Sequence, residues 1–259
     1  MAAGCLLAGG CGKEAPEAGA SSEGHVHIVT HANWNPFEYL KDGKITGFDI
    51  DLIEEASKRA GLTPDITDAG WEAIFEQIRT GQADAAVSGI TITDDRKKTY
   101  LFSKPYFVSR QAILVREDTD ISCAKDLMDG KTVAVQNGST GQEALEKLMG
   151  KNSPAIRKTP MSIQMLIGGQ VDALVGDETS VKAIKAQYPD QHLKILYDDA
   201  AFTPEYFGIL YPKDKGQALQ QKLDKALSDM VSDGTYSRIY EKWFHSSPDE
   251  KMLASLKQE

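Results

Sequence analysis

The stretch GQADAAVSG at Gly81–Gly89 returns as GQVDALVGD at Gly169–Asp177, 88 residues further on, with five of nine positions identical in register. No other feature constrains the fold as tightly. Ahead of the first copy, Trp71, Ile74, Phe75 and Ile78 recur at i, i+3, i+4 and i+7. This is an amphipathic helix that Gly81 ends, and Ala83–Val87 then reads as a short apolar strand. Ahead of the second, a helix over about 162–167 stops at Gly168-Gly169, and Val171–Val175 is its strand. The flanks repeat as well. His27–Thr30 and Thr132–Val135 are strand-like. A helix over 49–60 places Ile50, Ile53, Ala56 and Ala60 on one face with Leu52 beside it, and Gly61 stops it. A second, over 142–149, turns Ala144, Leu145 and Leu148 inward. Alternating strand and helix implies a mostly parallel α/β sheet, here built twice: an α/β chain of two lobes, each sheet flanked by helices. Chance reuse of common helix–Gly–strand junctions is the competing reading, and the matching flanks weigh against it.

The length of 259 residues suits two lobes with their own cores or one large domain. Apolar content of 41% and charged content of 26% are those of a soluble globular protein. A net charge of -9 leaves no basic surplus for phosphates, which argues against nucleic acid as a partner. The opening MAAGCLLAGGCGKE is too short to span a bilayer and reads as the end of a secretory signal whose basic start is expected further upstream. Leu7-Ala8-Gly9-Gly10-Cys11 is similar to a bacterial lipobox, which makes Cys11 the candidate lipidated residue. Cys5 is the alternative, and a plain signal peptide with an incidental cysteine is the other reading. Residues 1–11 are thus the signal segment, and 12–24, rich in Gly, Ala, Ser and Glu, a flexible tether. With Cys11 lipidated, Cys123 stands alone, without a disulfide framework or a CxxC metal site. No cofactor or metal is implied.

Segments 106–110 and 203–207 bracket the second unit and are the candidate hinge strands. Residues 217–244 carry two amphipathic helices, through Leu219, Leu223, Leu227 and Met230, then Tyr236, Ile239, Tyr240 and Phe244. In open α/β sheets ligands sit beyond the carboxyl ends of the strands. The two copies end differently at that point, Ser88-Gly89-Ile90-Thr91 against Gly176-Asp177. Gly89 admits close backbone approach, Thr91 offers a hydroxyl, and Arg96 offers a planar fork suited to a carboxylate. Arg96 is equally readable as a surface partner of Asp94 or Asp95. Gly138-Ser139-Thr140-Gly141 opens a helix whose amides can hold an anion, or Ser139 and Thr140 are ordinary N-caps. Asp177 can hold an ammonium or cap the helix from Glu178. Trp34 and Trp71 are candidate aromatic walls, although Trp71 also fits its helix's core stripe. Together a guanidinium, a carboxylate, a hydroxyl and an anion nest complement the zwitterionic head of an α-amino acid.

NPFEY, GFDIDL, SGITITDDRK, Phe102-Ser103 to Pro105-Tyr106, DLMDGKTVAVQNGSTG, VDALVGDE and DGTYSRIYEKWF resemble the periplasmic amino-acid-binding proteins of ABC importers, solute-binding family 3, over about residues 27–245. The resemblance implies the two-lobed periplasmic-binding-protein fold, with 25–105 plus 208–259 as the first lobe and 111–202 as the second. By resemblance Arg96 clamps the α-carboxylate with Thr140, and Asp177 holds the α-ammonium. Gly89 and Thr91 also stand at contacting positions, and Trp34 and Trp71 flank the side chain. Where several relatives carry aspartate in a T-D pattern, this chain has Thr30-His31, which removes the counter-charge that basic ligands meet. A neutral polar or aromatic amino acid is therefore expected, read by His31 and Gln136, with His31 as a mere strand-end residue the alternative.

The expected activity is capture by lobe closure and delivery to a membrane permease, by a monomer attached to the membrane only through its N-terminal lipid, exported and without catalysis. A cyclohexadienyl-dehydratase-like enzyme on the same scaffold is one rival, since fold does not fix function. An amino-acid-sensing lipoprotein is the other.

Overall fold

The computed structural model describes residues 24–159, 163–250 and 253–254. The signal segment, Cys5, Cys11 and the tether up to residue 23 lie outside the described residues, as does position 162 of the expected second-lobe helix.

The chain opens with β1 (His25–Thr30), a small meander of β2 (Asn33–Trp34), β3 (Glu38–Lys41) and β4 (Lys44–Thr46), then α1 (Phe48–Arg59) and β5 (Thr63–Asp68). It continues through α2 (Trp71–Thr80), β6 (Ala85–Ala86), α3 (Asp94–Thr99) and β7 (Tyr100–Phe102). β8 (Phe107–Ser109) leads to β9 (Gln111–Arg116), β10 (Val133–Val135), α4 (Thr140–Met149), β11 (Ile156–Lys158), α5 (Ile163–Ile167), β12 (Ala173–Asp177), α6 (Glu178–Gln187) and β13 (Leu193–Leu196). β14 (Glu205–Phe207) and β15 (Leu210–Pro212) precede α7 (Gln217–Ser232) and α8 (Thr235–Phe244).

Two five-stranded sheets result, ordered β5-β1-β6-β15-β7 and β11-β10-β12-β9-β13. They have one topology. In each, three parallel strands meet an antiparallel fourth, β15 or β9, and the fifth strand pairs antiparallel to that fourth. Each fourth strand enters its sheet directly after the chain has crossed from the other. The crossings themselves pair as an antiparallel ribbon, Phe107 opposite Phe207 and Ser109 opposite Glu205.

The repeated phrase is one hydrogen-bonded clip made twice. Gly81 and Gly169 are both left-handed, φ 71° and 70°, where a side chain would be strained. The following amides, Gln82 and Gln170, bond back to the carbonyls of Gln77 and Met165 at 2.9 and 2.8 Å. The shared aspartate then grips the start of the neighbouring strand. Asp84 accepts from the His27 amide at 2.8 Å, and Asp172 from the Thr132 amide at 2.7 Å. Their own amides return to the carbonyls of His27 and Thr132. Parallel register follows, Ile28 on Ala85 and Val133 on Ala173.

Both strands start two residues later than the apolar runs suggest, because Ala83 and Val171 still bond to the preceding helices. β6 is also short at its far end, since the Gly89 amide turns away to Asp49. β12 runs on to Asp177 because β9 accompanies it as far as Gln111. α4 begins at Thr140 rather than 142, because the Ser139 hydroxyl accepts from the Gln142 amide at 3.2 Å and caps the first turn.

In the second sheet, Ile113 and Val115 of β9 face one apolar cluster while Ala112 and Leu114 face another, so both faces are covered and the strand is apolar from Ala112 to Val115. The first sheet packs on α1, α7 and α8 through Ile28, Phe48, Leu52, Leu223 and Met230. An aromatic mass of Phe37, Phe48, Phe107, Phe207 and Tyr240 joins that core, with Phe107 and Phe207 stacked at 5.6 Å. The two crossing strands are therefore rooted in the first lobe.

Candidate functional site

The ends of β6 and β12 face one cleft of about 610 Å³ between the sheets. All ten residues singled out from the sequence as ligand contacts line it. Their geometry resolves several of the alternatives left open above.

Arg96, on α3, is not paired with Asp94 or Asp95, which take Lys97 and Lys98 instead. Its guanidinium reaches the Thr91 carbonyl at 2.9 Å and, across the cleft, the Gly138 carbonyl at 3.1 Å. The faces of Trp71 and Phe75 lie 5.8 and 5.1 Å from its carbon. Burial pulls its pKa below the ordinary value, against the charges of Glu143, Glu205 and Asp177. Two carbonyls and two aromatic rings hold the fork in place without neutralising it.

Asp177 stands at the N-cap position of α6 but makes no side-chain cap bond. Its carboxyl instead takes the Ser109 hydroxyl and a hydrogen bond with Gln111, its cross-strand neighbour. Burial pushes its pKa up to about 8; the Ser109 hydrogen bond resists this and the Glu205 charge adds to it. One lobe thus presents a half-buried cation and the other a half-buried acid, neither with a counter-charge bonded to it.

Trp71 meets both readings, packing against the core cluster of Ile74 and Ile78 while also lining the cleft. Ile74 and Ile78 are fully buried, whereas Trp71 and Phe75 stay half-buried beside Arg96. Trp34 lies over Gly89, where a Cβ would come within 2.1 Å of its ring and φ is 53°. Gly89 is thus required first by the indole. The indole Nε1 atoms of both tryptophans are buried without a hydrogen-bond partner. His31 bonds the Ala69 carbonyl through Nδ1 at 3.1 Å, leaving Nε2 for the cleft. Gln136 lines the second-lobe wall, and its carbonyl accepts from the Ser139 hydroxyl at 2.8 Å. Thr140 is buried, but its hydroxyl points to Glu205 at 2.7 Å.

Glu205 was not foreseen. Its Oε2 gathers the hydroxyls of Thr91 and Thr140 and the Gln111 amide at 3.0, 2.7 and 3.2 Å, tying both lobes at the ribbon. A carboxylate within the aromatic crossing segment TPEYF was its signal. Gln111, buried at the head of an otherwise apolar strand, carried a similar one. Beneath the cleft, Glu38, Asp49, Ser88 and Tyr106 form a buried network that the sequence reading passed over. Asp49 reads there as an ordinary acid of a helix's first turn. Among the described residues no helix is long and apolar enough to cross a membrane, and no cluster of three or more metal-type ligands occurs.

A family model described as bacterial extracellular solute-binding proteins, family 3, matches residues 26–246. A probable histidine-binding protein of Neisseria gonorrhoeae is 34% identical over 242 residues, covering 91% of this chain and 89% of that one. The arginine-, lysine-, histidine-binding protein ArtJ of Geobacillus stearothermophilus is 41% identical, with a TM-score of 0.84 over 90% of this chain and 99% of that one. An ancestral amino acid-binding protein, described as a precursor of cyclohexadienyl dehydratase, is 31% identical, with a TM-score of 0.73 over 85% of this chain and 96% of that one.

Proposed function

The chain belongs to the bacterial extracellular solute-binding proteins of family 3, and from that premise we propose that it captures one free α-amino acid between its lobes and delivers it to the permease of an ABC importer. One observation carries the reading. Arg96 and Asp177, a cation and an acid from opposite lobes, stand half-buried in one cleft with no counter-charge bonded to either. An α-amino acid supplies both, its carboxylate to Arg96 and its ammonium to Asp177.

The side chain is neutral polar or aromatic, with histidine the leading candidate. The buried Trp34 and Trp71 indole N–H groups want acceptors. Lysine and arginine side chains offer only donors, whereas a neutral imidazole or a carboxamide offers an acceptor. His31 adds no counter-charge where basic ligands would need one. Histidine fits this chemistry, since its ring is planar and largely neutral near pH 7, and it is among the ligands named for the Neisseria and Geobacillus relatives.

The ligand lands on the first lobe, and the second closes over it by rotation at 106–110 and 203–207. Lipidation at Cys11 tethers the exported protein to the membrane. Asp177 is committed to the ammonium, so the cleft binds without turnover.

A thermal-shift screen of the twenty amino acids tests this, because a ligand that binds only the folded chain raises the melting temperature. A shift with histidine or glutamine is expected. A shift with arginine or lysine alone overturns the side-chain assignment, and no shift with any amino acid overturns the whole reading. Release of phenylpyruvate from prephenate would instead favour the dehydratase-like activity.

A further inference from the structure

Under the cleft two acids face each other without a cation. Glu38 on β3 and Asp49 at the start of α1 are both fully buried, and among the described residues neither forms an ion pair. Glu38 Oε1 accepts from the Ser88 hydroxyl at 2.7 Å. Asp49 Oδ2 accepts from the Gly89 amide at 2.9 Å and the Tyr106 hydroxyl at 2.7 Å. The remaining oxygens, Glu38 Oε2 and Asp49 Oδ1, have no hydrogen-bond partner. The groups that hold the two acids, Ser88 and Gly89, are neighbours in the chain, and the Asp49 charge acts on Glu38. Two carboxylates buried side by side with no cation beside them cannot both stay ionised, so the pair holds a proton.

We propose that Glu38 and Asp49 share one proton, resident on Glu38, and that this acid pair is the positioning device for the ligand-facing turn Ser88–Thr91. Asp49 is the better anion, since two donors point at it and only one at Glu38. The electrostatics agree. Burial and the Asp49 charge push the Glu38 carboxyl well above its ordinary range, while burial pushes Asp49 only to about 7 against the Tyr106 and Gly89 hydrogen bonds.

The pair reaches the cleft by three routes. Ser88 accepts from the His31 amide at 3.1 Å, which fixes the end of β1. Gly89, held by Asp49, backs the Trp34 ring. Thr91, two residues on, gives its carbonyl to Arg96. Loss of the shared proton leaves two adjacent buried carboxylates, and the turn they hold loosens. The other titratable groups facing the pair are Tyr106, ahead of β8, and Tyr236 of α8, whose hydroxyls burial keeps protonated. Of the charges elsewhere on the packed helices, Asp51 pairs with Lys242 and Arg59 with Glu55 and Asp233, Asp224 takes the Lys104 amide, and burial raises Glu54. Lys41 and Lys44, on β3 and β4, are exposed to solvent.

The proton is a property of the fold, and only its effect on affinity rests on the amino-acid reading. Infrared difference spectra test the first part. At about pH 7.5 the wild type shows a C=O stretch of a buried protonated carboxylic acid that Asp177→Asn leaves and Glu38→Gln removes. Absence of that band, or its survival in Glu38→Gln, overturns the proposal. Affinity for L-histidine tests the second. Glu38→Ala weakens it by about tenfold or more, and Glu38→Gln restores it, because its amide donates where the acid did. Between about pH 7.5 and 10, wild-type affinity falls about tenfold relative to Glu38→Gln, a ratio in which the ligand's own titration cancels. A constant ratio overturns the positioning role. The expected band in a protein that binds no amino acid supports the pair and refutes the proposed function.

Discussion

At the scale of single residues, the cleft separates charge from countercharge, and that sets two predictions. Arg96→Ala removes the cation awaiting a carboxylate and is expected to weaken every amino acid by on the order of a hundredfold or more, measured by calorimetry. Equal losses across ligands mark a contact with the shared head group; a loss confined to one side chain would refute that placement. Asp177 gives the second. Its pKa lies at about 8 in the folded chain, above the ordinary carboxyl value, because burial favours the neutral form. Below about pH 8 the closed cleft therefore holds a proton there, and an arriving ammonium must displace it. Binding near pH 6.5 should release close to one proton, read from the dependence of binding enthalpy on buffer ionisation enthalpy, and that release should fade above about pH 8.5 and vanish in Asp177→Asn. Both residues were legible in the sequence, since each follows a repeated strand. The Glu38–Asp49 pair was not, because its donors Ser88, Gly89 and Tyr106 lie 40 or more residues away, and Glu205 showed only as a carboxylate in an aromatic crossing segment, its partners equally distant.

At the scale of elements, the duplicated phrase explains itself through its aspartate. Asp84 and Asp172 each clip a helix–strand junction to the strand beside it, so the same residues recur because the same parallel register must be set twice. Asp172 also accepts from the Thr132 hydroxyl at 2.9 Å, and its site is the less exposed of the two. Asp172→Ala is therefore expected to cost about 2 kcal/mol and Asp84→Ala about 1, seen as lower urea midpoints with unchanged slopes. Losses below about 0.5 kcal/mol at both sites would leave the repeat without its structural account. Helix–Gly–strand order could be read from periodicity, because glycine stops and apolar stripes are local. The lengths of β6 and β12 could not. One strand is cut short where Asp49 takes the Gly89 amide, and the other is extended by an antiparallel neighbour that enters only after a crossing.

At the scale of the whole molecule, the proposed closure is the event that the charges would control. The lobes touch through Arg96 and the Gly138 carbonyl, through Thr91 and Thr140 on Glu205, and through Asn137 and Glu72 at 2.5 Å. Arg96 and Asp177 have no charge bonded to them in the cleft, and burial moves both pKa values toward the neutral form. A ligand shifts the open–closed equilibrium only by its differential affinity for the closed state, and a zwitterion supplies that difference at both groups together. Protonation of Asp177 supplies part of it with no ligand at all. Burial raises the group's pKa to about 8, so a closure that adds to that burial binds the proton more tightly and is favoured as the pH falls through about 8. The ligand-free wild type is thus expected to compact as pH falls from about 9 to 6, measured by small-angle scattering or by a fluorophore pair spanning the lobes. Asp177→Asn, permanently neutral there, should sit at the compact end throughout and lose the pH response. If the variant and the wild type share one radius of gyration at about pH 9, the buried acid does not hold the lobes apart, and the force that opens the empty cleft lies in the aromatic-rooted ribbon at Phe107 and Phe207 instead.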